Sequence, residues 1–140
     1  MTVPRTDPLP PKLYHGKTIR VLSFNNIEAQ VDLGFGVSVQ KRVYIEGIDR
    51  ELIKSMSKAA THCLVVLLGG KRILLHVQKP DAEGQIIARV YLNERVYHDP
   101  EGFVTPAGVD KPMLEIGIYM PWLAGQGFDI ATVKRTLNGK

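Results

Sequence analysis

Arg42 and Tyr44 lie two residues apart, and so do Arg89 and Tyr91. These are the side chains whose types and spacing suit a defined chemistry. On a β-strand a separation of two puts side chains on the same side. A guanidinium follows phosphates while a tyrosine ring stacks a base at about 1–3 kcal/mol, so arginines interleaved with tyrosines suit a single nucleic-acid strand. Gln85 shares the side of Arg89 and Tyr91. The same pattern also fits a solvated sheet face, and spacing alone does not choose between them.

Other chemistries find less support. His15, His62, His76 and His98 show no metal-ligand spacing, so no metal or cofactor is expected. Gly34-Phe35-Gly36 reads as a turn and not as a nucleotide cradle. Ser23, Ser38, Ser55 and Ser57 lack the context of a nucleophile elbow. Asp81 and Glu83 sit in a turn, where carboxylates are solvated. Cys63 is the only cysteine, which excludes an internal disulfide and a thiolate cluster; its run Cys-Leu-Val-Val-Leu-Leu marks it as core.

The elements that must position these residues follow from periodicity. Residues 17–24 alternate well enough for a strand, and residues 27–33 alternate strictly, with Ile27, Ala29, Val31 and Leu33 against Glu28, Gln30 and Asp32. Asn25-Asn26 between them is a tight-turn pair. A third strand follows Gly36, with Val39, Val43 and Ile45 on one face and Gln40, Arg42, Tyr44 and Glu46 on the other. Asp49 can cap a helix whose positions Leu52, Ile53, Met56, Ala59, Ala60, Cys63 and Leu67 keep the helical period, and Gly69-Gly70 stops it.

Residues 71–78 and 85–93 read as further strands joined by a turn over 80–84, with Ile86, Ala88, Val90 and Leu92 inward. The stretch from 94 to 111 has no clear period and reads as a long loop with room for a short hairpin. Asp110-Lys111-Pro112 predicts a helix start with Met113, Ile116, Met120 and Leu123 at helical spacing, disturbed by Pro121. Asp129 can cap a last helix through Leu137. Tyr119 and Trp122 read as core. Three strands, a helix and two strands is the order of an oligonucleotide/oligosaccharide-binding (OB) barrel. The prediction is a mainly β, α+β chain: a five-stranded OB-fold barrel with C-terminal helices covering one end.

At 140 residues with 44% hydrophobic content, one core suffices. The 18 Lys and Arg against 14 Asp and Glu give a formal charge of +4, which favours nucleic acid or an acidic protein surface. No apolar stretch approaches the roughly 20 residues of a membrane span, so no membrane partner is expected. Residues 1–12 contain four prolines and no continuous hydrophobic segment, and read as an extended arm before a single domain over 13–140, with a helical extension from about 111.

Four anchors, by their order and spacing over residues 13–93, add a resemblance. They are His15-Gly16-Lys17-Thr18-Ile19, the strand Tyr44-Ile-Glu-Gly-Ile-Asp49, the helix with its Gly-Gly-Lys-Arg strand start, and Asp81-Ala-Glu-Gly-Gln-Ile-Ile-Ala-Arg-Val-Tyr91. Together they resemble the staphylococcal-nuclease-like (thermonuclease) family. That resemblance implies a nuclease-type barrel that cleaves phosphodiesters with calcium held by two aspartates, a glutamate base and two arginines, because a dianionic transition state needs a hard cation and fixed positive donors. Here Lys17 stands at the first calcium-ligand position, Tyr44 at the first arginine position and Gln85 at the second. Asp49 keeps the second ligand, and Glu51 matches the base only with a one-residue deletion.

Losing one oxyanion-type donor costs about 10²–10³ in rate, so the altered set implies negligible activity. The resemblance therefore points to a catalytically inactive module. Its expected partner is single-stranded DNA or RNA, met through Arg42, Tyr44, Arg89 and Tyr91. The alternative is a protein-interaction, inhibitor or assembly module built on the helical end and the arm. A third reading keeps a calcium-dependent nuclease with Glu51 and displaced arginines. Compact relatives of this kind are common in bacteria and their phages, which implies a cytoplasmic setting, that of a bacterial host if the protein is phage-encoded.

Overall fold

A computed structural model describes residues 13–48, 56–79, 85–93, 102–106 and 108–138. The proline-rich arm, Asp49, Glu51 and the expected turn over 80–84 lie outside the described residues. Strands β1 (Leu13–Ser23), β2 (Asn26–Gly34) and β3 (Val37–Ile45) come first, then helix α1 (Ser57–Leu68), β4 (Arg72–Lys79) and β5 (Gln85–Leu92). Two short strands, β6 (Phe103–Val104) and β7 (Met113–Glu115), precede helices α2 (Ile116–Gly125) and α3 (Ile130–Asn138).

Alternation sets the inside of the sheet. Ile27, Ala29 and Val31 of β2, Val43 and Ile45 of β3, and Ile86, Ala88 and Val90 of β5 are buried. Between them the intervening residues of β3, Gln40, Arg42 and Tyr44, face out, as the period of two requires. Antiparallel pairings join β3 to β2, β2 to β1, β1 to β4 and β4 to β5. A parallel pairing of β3 with β5, from Arg42 opposite Gln85 to Ile45 opposite Ala88, closes the ring. The result is a closed five-stranded barrel in OB order, within a mainly β, α+β chain.

Helix α1 buries Ala60, Cys63, Leu64, Leu67 and Leu68, the stripe that a 3.6-residue period places on one side. Ala59, expected on that stripe, lies one position off it and is exposed. The backbone N–H of Gly69 donates to Val65 O at 2.8 Å as the helix ends. Cys63 is core, and its thiol donates to Phe128 O at 3.2 Å. Burial pushes that thiol's pKa up, with the Asp129 charge adding to the effect.

The segment after β5 corrects one expectation. Met113 does not begin a helix; Met113–Glu115 is a strand that pairs with both β5 and β6, and α2 starts at Ile116. The reason lies in β5. It pairs with β3 only as far as Ala88, which leaves the backbone edge of Tyr91 and Leu92 open, and β7 satisfies it through Tyr91 opposite Glu115 and Leu92 opposite Leu114. The added strands cover the outside of the barrel wall, where Leu13, Leu74, Tyr91 and Met113 form a second, smaller apolar cluster. Helix α2 packs on β5 and β7, while α3 lies against α1. Tyr119 is fully buried and Trp122 packs on the main core, with ring centroids 5.5 Å apart.

Candidate nucleic-acid interface

Registers across the barrel define rows of outward side chains. Arg20 pairs with Glu28, Glu28 with Arg42 and Arg42 with Gln85, so these four residues form one row across β1, β2, β3 and β5. Asn26, Tyr44 and Ile87 form the next row. The fold thus brings Arg42, Tyr44 and Gln85 together. Diagonal neighbours in a sheet stand about 7–8 Å apart, within reach of long side chains.

The charges within this wall are unevenly matched. Glu28 is fully engaged: Arg20 Nε lies 3.2 Å from Oε1 and Gln40 Nε2 donates to the same oxygen at 2.6 Å. Arg42, directly opposite Glu28, is exposed and makes no ion pair among the described residues. Beside it stand the half-buried Tyr44 and the exposed Ile87. An exposed guanidinium next to an aromatic ring, an amide and an aliphatic side chain is chemically equipped to hold a phosphate and a base at once.

Arg89 and Tyr91 are placed differently. Tyr91 is only 3% exposed, sealed by the second apolar cluster, so its ring offers no open face for stacking. Its burial comes from β7, a cover that parity within β5 does not reveal. Arg89 Nε lies 3.5 Å from Glu46 Oε2, and its charge also acts on the neighbouring Tyr91 hydroxyl and Glu115 carboxyl. Arg89 is thereby shared among two carboxylates and a phenol, and little of its charge is left for a phosphate.

Burial pushes the Glu115 carboxyl above its usual range, opposed by Arg89 and the Tyr91 hydrogen bond and reinforced by Glu46. A carboxyl with a raised folded-state pKa contributes stability that is complete below its unfolded value, about 4.3, and is lost as pH rises through the folded value. Glu115→Gln is therefore expected to flatten the decline of the unfolding midpoint over the range that begins near pH 4 and runs upward through the raised folded-state value. Thermal melts of both proteins across that range check this, and an unchanged slope would count against it.

Of the family-derived positions, Tyr44 and Gln85 meet and Lys17 does not join them. Lys17 pairs with Gln30, four residues along β2 from the Asn26 that faces Tyr44, and it sits two strands from β3. At sheet spacings this is on the order of 15 Å, too far for Lys17 and Tyr44 to share one ion or phosphate. The residue that faces Tyr44 is Asn26, which turn-based reading had assigned only to a bend. Its Oδ1 is buried without a hydrogen-bond partner, as is Glu46 Oε2, whose 3.5 Å approach to Arg89 is too long for a hydrogen bond. Among the described residues no group of three or more His, Cys, Asp or Glu is placed to hold a metal ion, and no helix is long and apolar enough to cross a membrane. Compared with known proteins, the chain matches no family model and no curated sequence.

Proposed function

We propose that the protein is a non-catalytic binding module for single-stranded nucleic acid, DNA or RNA, which it meets on the outer wall around Arg42, Tyr44, Gln85 and Ile87. The observation that supports this most directly is the exposed Arg42, without an ion pair among the described residues, beside the half-buried Tyr44 on an OB-type barrel. The formal charge of +4 favours the same class of partner. The nuclease resemblance supports binding without cleavage, because Tyr44 and Gln85 stand where two fixed positive donors are needed and neither carries charge. On this reading the protein works in the cytoplasm, that of a bacterial host if its gene is viral.

Fluorescence anisotropy of a labelled single-stranded DNA, followed over time with calcium present at two salt concentrations, tests the proposal. The expected result is a stable rise that weakens steeply with salt. Arg42→Ala should lower the affinity roughly tenfold and reduce the salt slope by about one. A rise followed by a fall below the starting value would show cleavage and overturn the non-catalytic part. No rise at either salt would overturn the binding itself.

A further inference from the structure

At the β2–β3 hairpin end of the wall, away from Tyr44, a groove of about 560 Å³ runs over β1, β2 and the start of β4. Lys17 and Arg72 line it and are direct partners across the antiparallel β1–β4 pair. Like charges directly opposite each other destabilise a sheet unless something lies between them. Both are exposed, and neither makes an ion pair among the described residues. His15, two residues before Lys17 on the same side of β1, adds a third group that can carry positive charge.

Among the described residues Asp32 is the one carboxylate on the groove's lining, and it offsets only one of the two positive charges; its Oδ1 accepts the Gly34 N–H at 2.8 Å. Gln30 Nε2 donates to Ser38 Oγ at 2.8 Å, which leaves the Ser38 hydroxyl proton available to an incoming acceptor. The described lining keeps a net positive charge, with hydrogen-bond donors beside it.

Next in the chain to Gly36, which lines the groove, comes an aromatic residue in an unusual setting. Phe35 is 93% exposed at the hairpin tip, with a backbone φ of 56° between Gly34 and Gly36, which are also left-handed. For a bulky residue that conformation is sterically unfavourable, and here it gains no burial in return. Val37, 53% exposed, adds an apolar side chain to the lining.

We propose that this groove is a phosphate-binding site, in which Lys17 and Arg72 hold one phosphate of a nucleic-acid strand and Phe35 stacks the neighbouring base. Its assignment to a strand rests on the function proposed above; the phosphate site itself does not. Continuity supports the strand. Lys17 shares a row with Gln30 and Gln40, and Gln40 lies two residues before Arg42 on β3, so the groove joins the Arg42 row about 7 Å away.

Two measurements on the full chain test it. Titrating inorganic phosphate while following backbone amide shifts by NMR is expected to give saturable changes confined to the neighbourhood of Lys17, Arg72 and His15. In the anisotropy assay, Lys17→Gln with Arg72→Gln should lower affinity for the labelled strand by about 100-fold and reduce the salt slope by about two. Phe35→Ser should lower it by roughly 5- to 100-fold with the slope unchanged, and since Phe35 touches no core the thermal midpoint should not fall.

Shifts spread evenly over the surface, or a double variant with wild-type slope, would overturn the site; if Arg42→Ala still weakened binding, the function proposed above would stand without it. Saturable phosphate shifts with no strand bound would leave the phosphate site standing and overturn its assignment to nucleic acid. A Phe35→Ser variant that altered only self-association would overturn the stacking role and make the hairpin a protein contact.

Discussion

Gly117→Ala is expected to destabilise the protein by about 3 kcal/mol or more and to lower its thermal midpoint by roughly 10 °C. The sign is the opposite of the usual one, since glycine-to-alanine exchange inside a helix normally stabilises by about 1 kcal/mol. Gly117 lies in the first turn of α2, where the helix backbone touches the end of β3. A Cβ added there would fall on the Glu46 carbonyl oxygen, 3.0 Å from the Glu46 carbonyl carbon and 3.2 Å from Gly47 Cα. All three are backbone atoms, so no rotamer change relieves the clash. The contact is reciprocal: a Cβ on Gly47, whose φ is 103°, would lie 2.8 Å from Gly117 O.

Gly125, in the last turn of the same helix, has nothing within 4 Å of where its Cβ would be. Gly125→Ala should therefore stabilise by about 0.4–1 kcal/mol. Urea unfolding of the two variants gives a comparison internal to one helix. A Gly117→Ala protein as stable as wild type would mean that α2 does not sit this close to β3. The consequence reaches the proposed interface, because the strand end held by α2 carries Tyr44 and Glu46.

The parts of this arrangement that sequence discloses are those encoded locally. Alternation over residues 27–33 places Ile27, Ala29 and Val31 inside, although Leu33, expected on the same face, is 47% exposed at the end of β2; the helical stripe through Ala60, Cys63 and Leu67 places α1, because in each case one short segment repeats its own period. The order of three strands, helix and two strands then restricts the barrel to few topologies. Less legible was whatever depends on a distant segment. Residues 113–115 have no room for a period, and they form a strand because β5 has an open edge beyond Ala88.

That strand in turn buries Tyr91 and brings Glu115 to Arg89, so two of the four residues expected to bind nucleic acid are engaged by a cover that their own strand does not announce. Motif order says nothing of register, which sets Asn26 opposite Tyr44 and Lys17 opposite Gln30, two strands from β3. One signal was readable and passed over. A phenylalanine between two glycines at a hairpin tip has nothing to pack against, so the exposed Phe35 follows from Gly34-Phe35-Gly36 itself.

Tyr119→Ala is expected to cost about 3–5 kcal/mol, since the ring is fully buried in the main core against Trp122 and joins α2 to α3. The hydroxyl sharpens the prediction. Tyr119 Oη and Thr136 Oγ1 are 2.9 Å apart, and Thr136 Oγ1 donates its proton to Thr132 O at 3.1 Å. With that proton committed, Tyr119 must be the donor and Thr136 the acceptor. Two substitutions that delete the same hydrogen bond should then differ. Thr136→Val leaves a buried phenol proton with no acceptor, at about 1–3 kcal/mol, whereas Tyr119→Phe leaves the Thr136 hydroxyl still bonded to Thr132 O, at about 0.5–1.5 kcal/mol.

Adding Tyr119→Phe to Thr136→Val should recover part of the loss, a coupling that a double-mutant cycle in urea measures directly. Burial also pushes the Tyr119 phenol upward. Its contribution to stability is thus complete below the unfolded value near 10 and falls as pH rises through the folded one. Tyr119→Phe should remove that alkaline loss. If instead Tyr119→Phe proved more costly than Thr136→Val, the proton would have to run from Thr136 to Tyr119, and the Thr136 bond to Thr132 O would not be made.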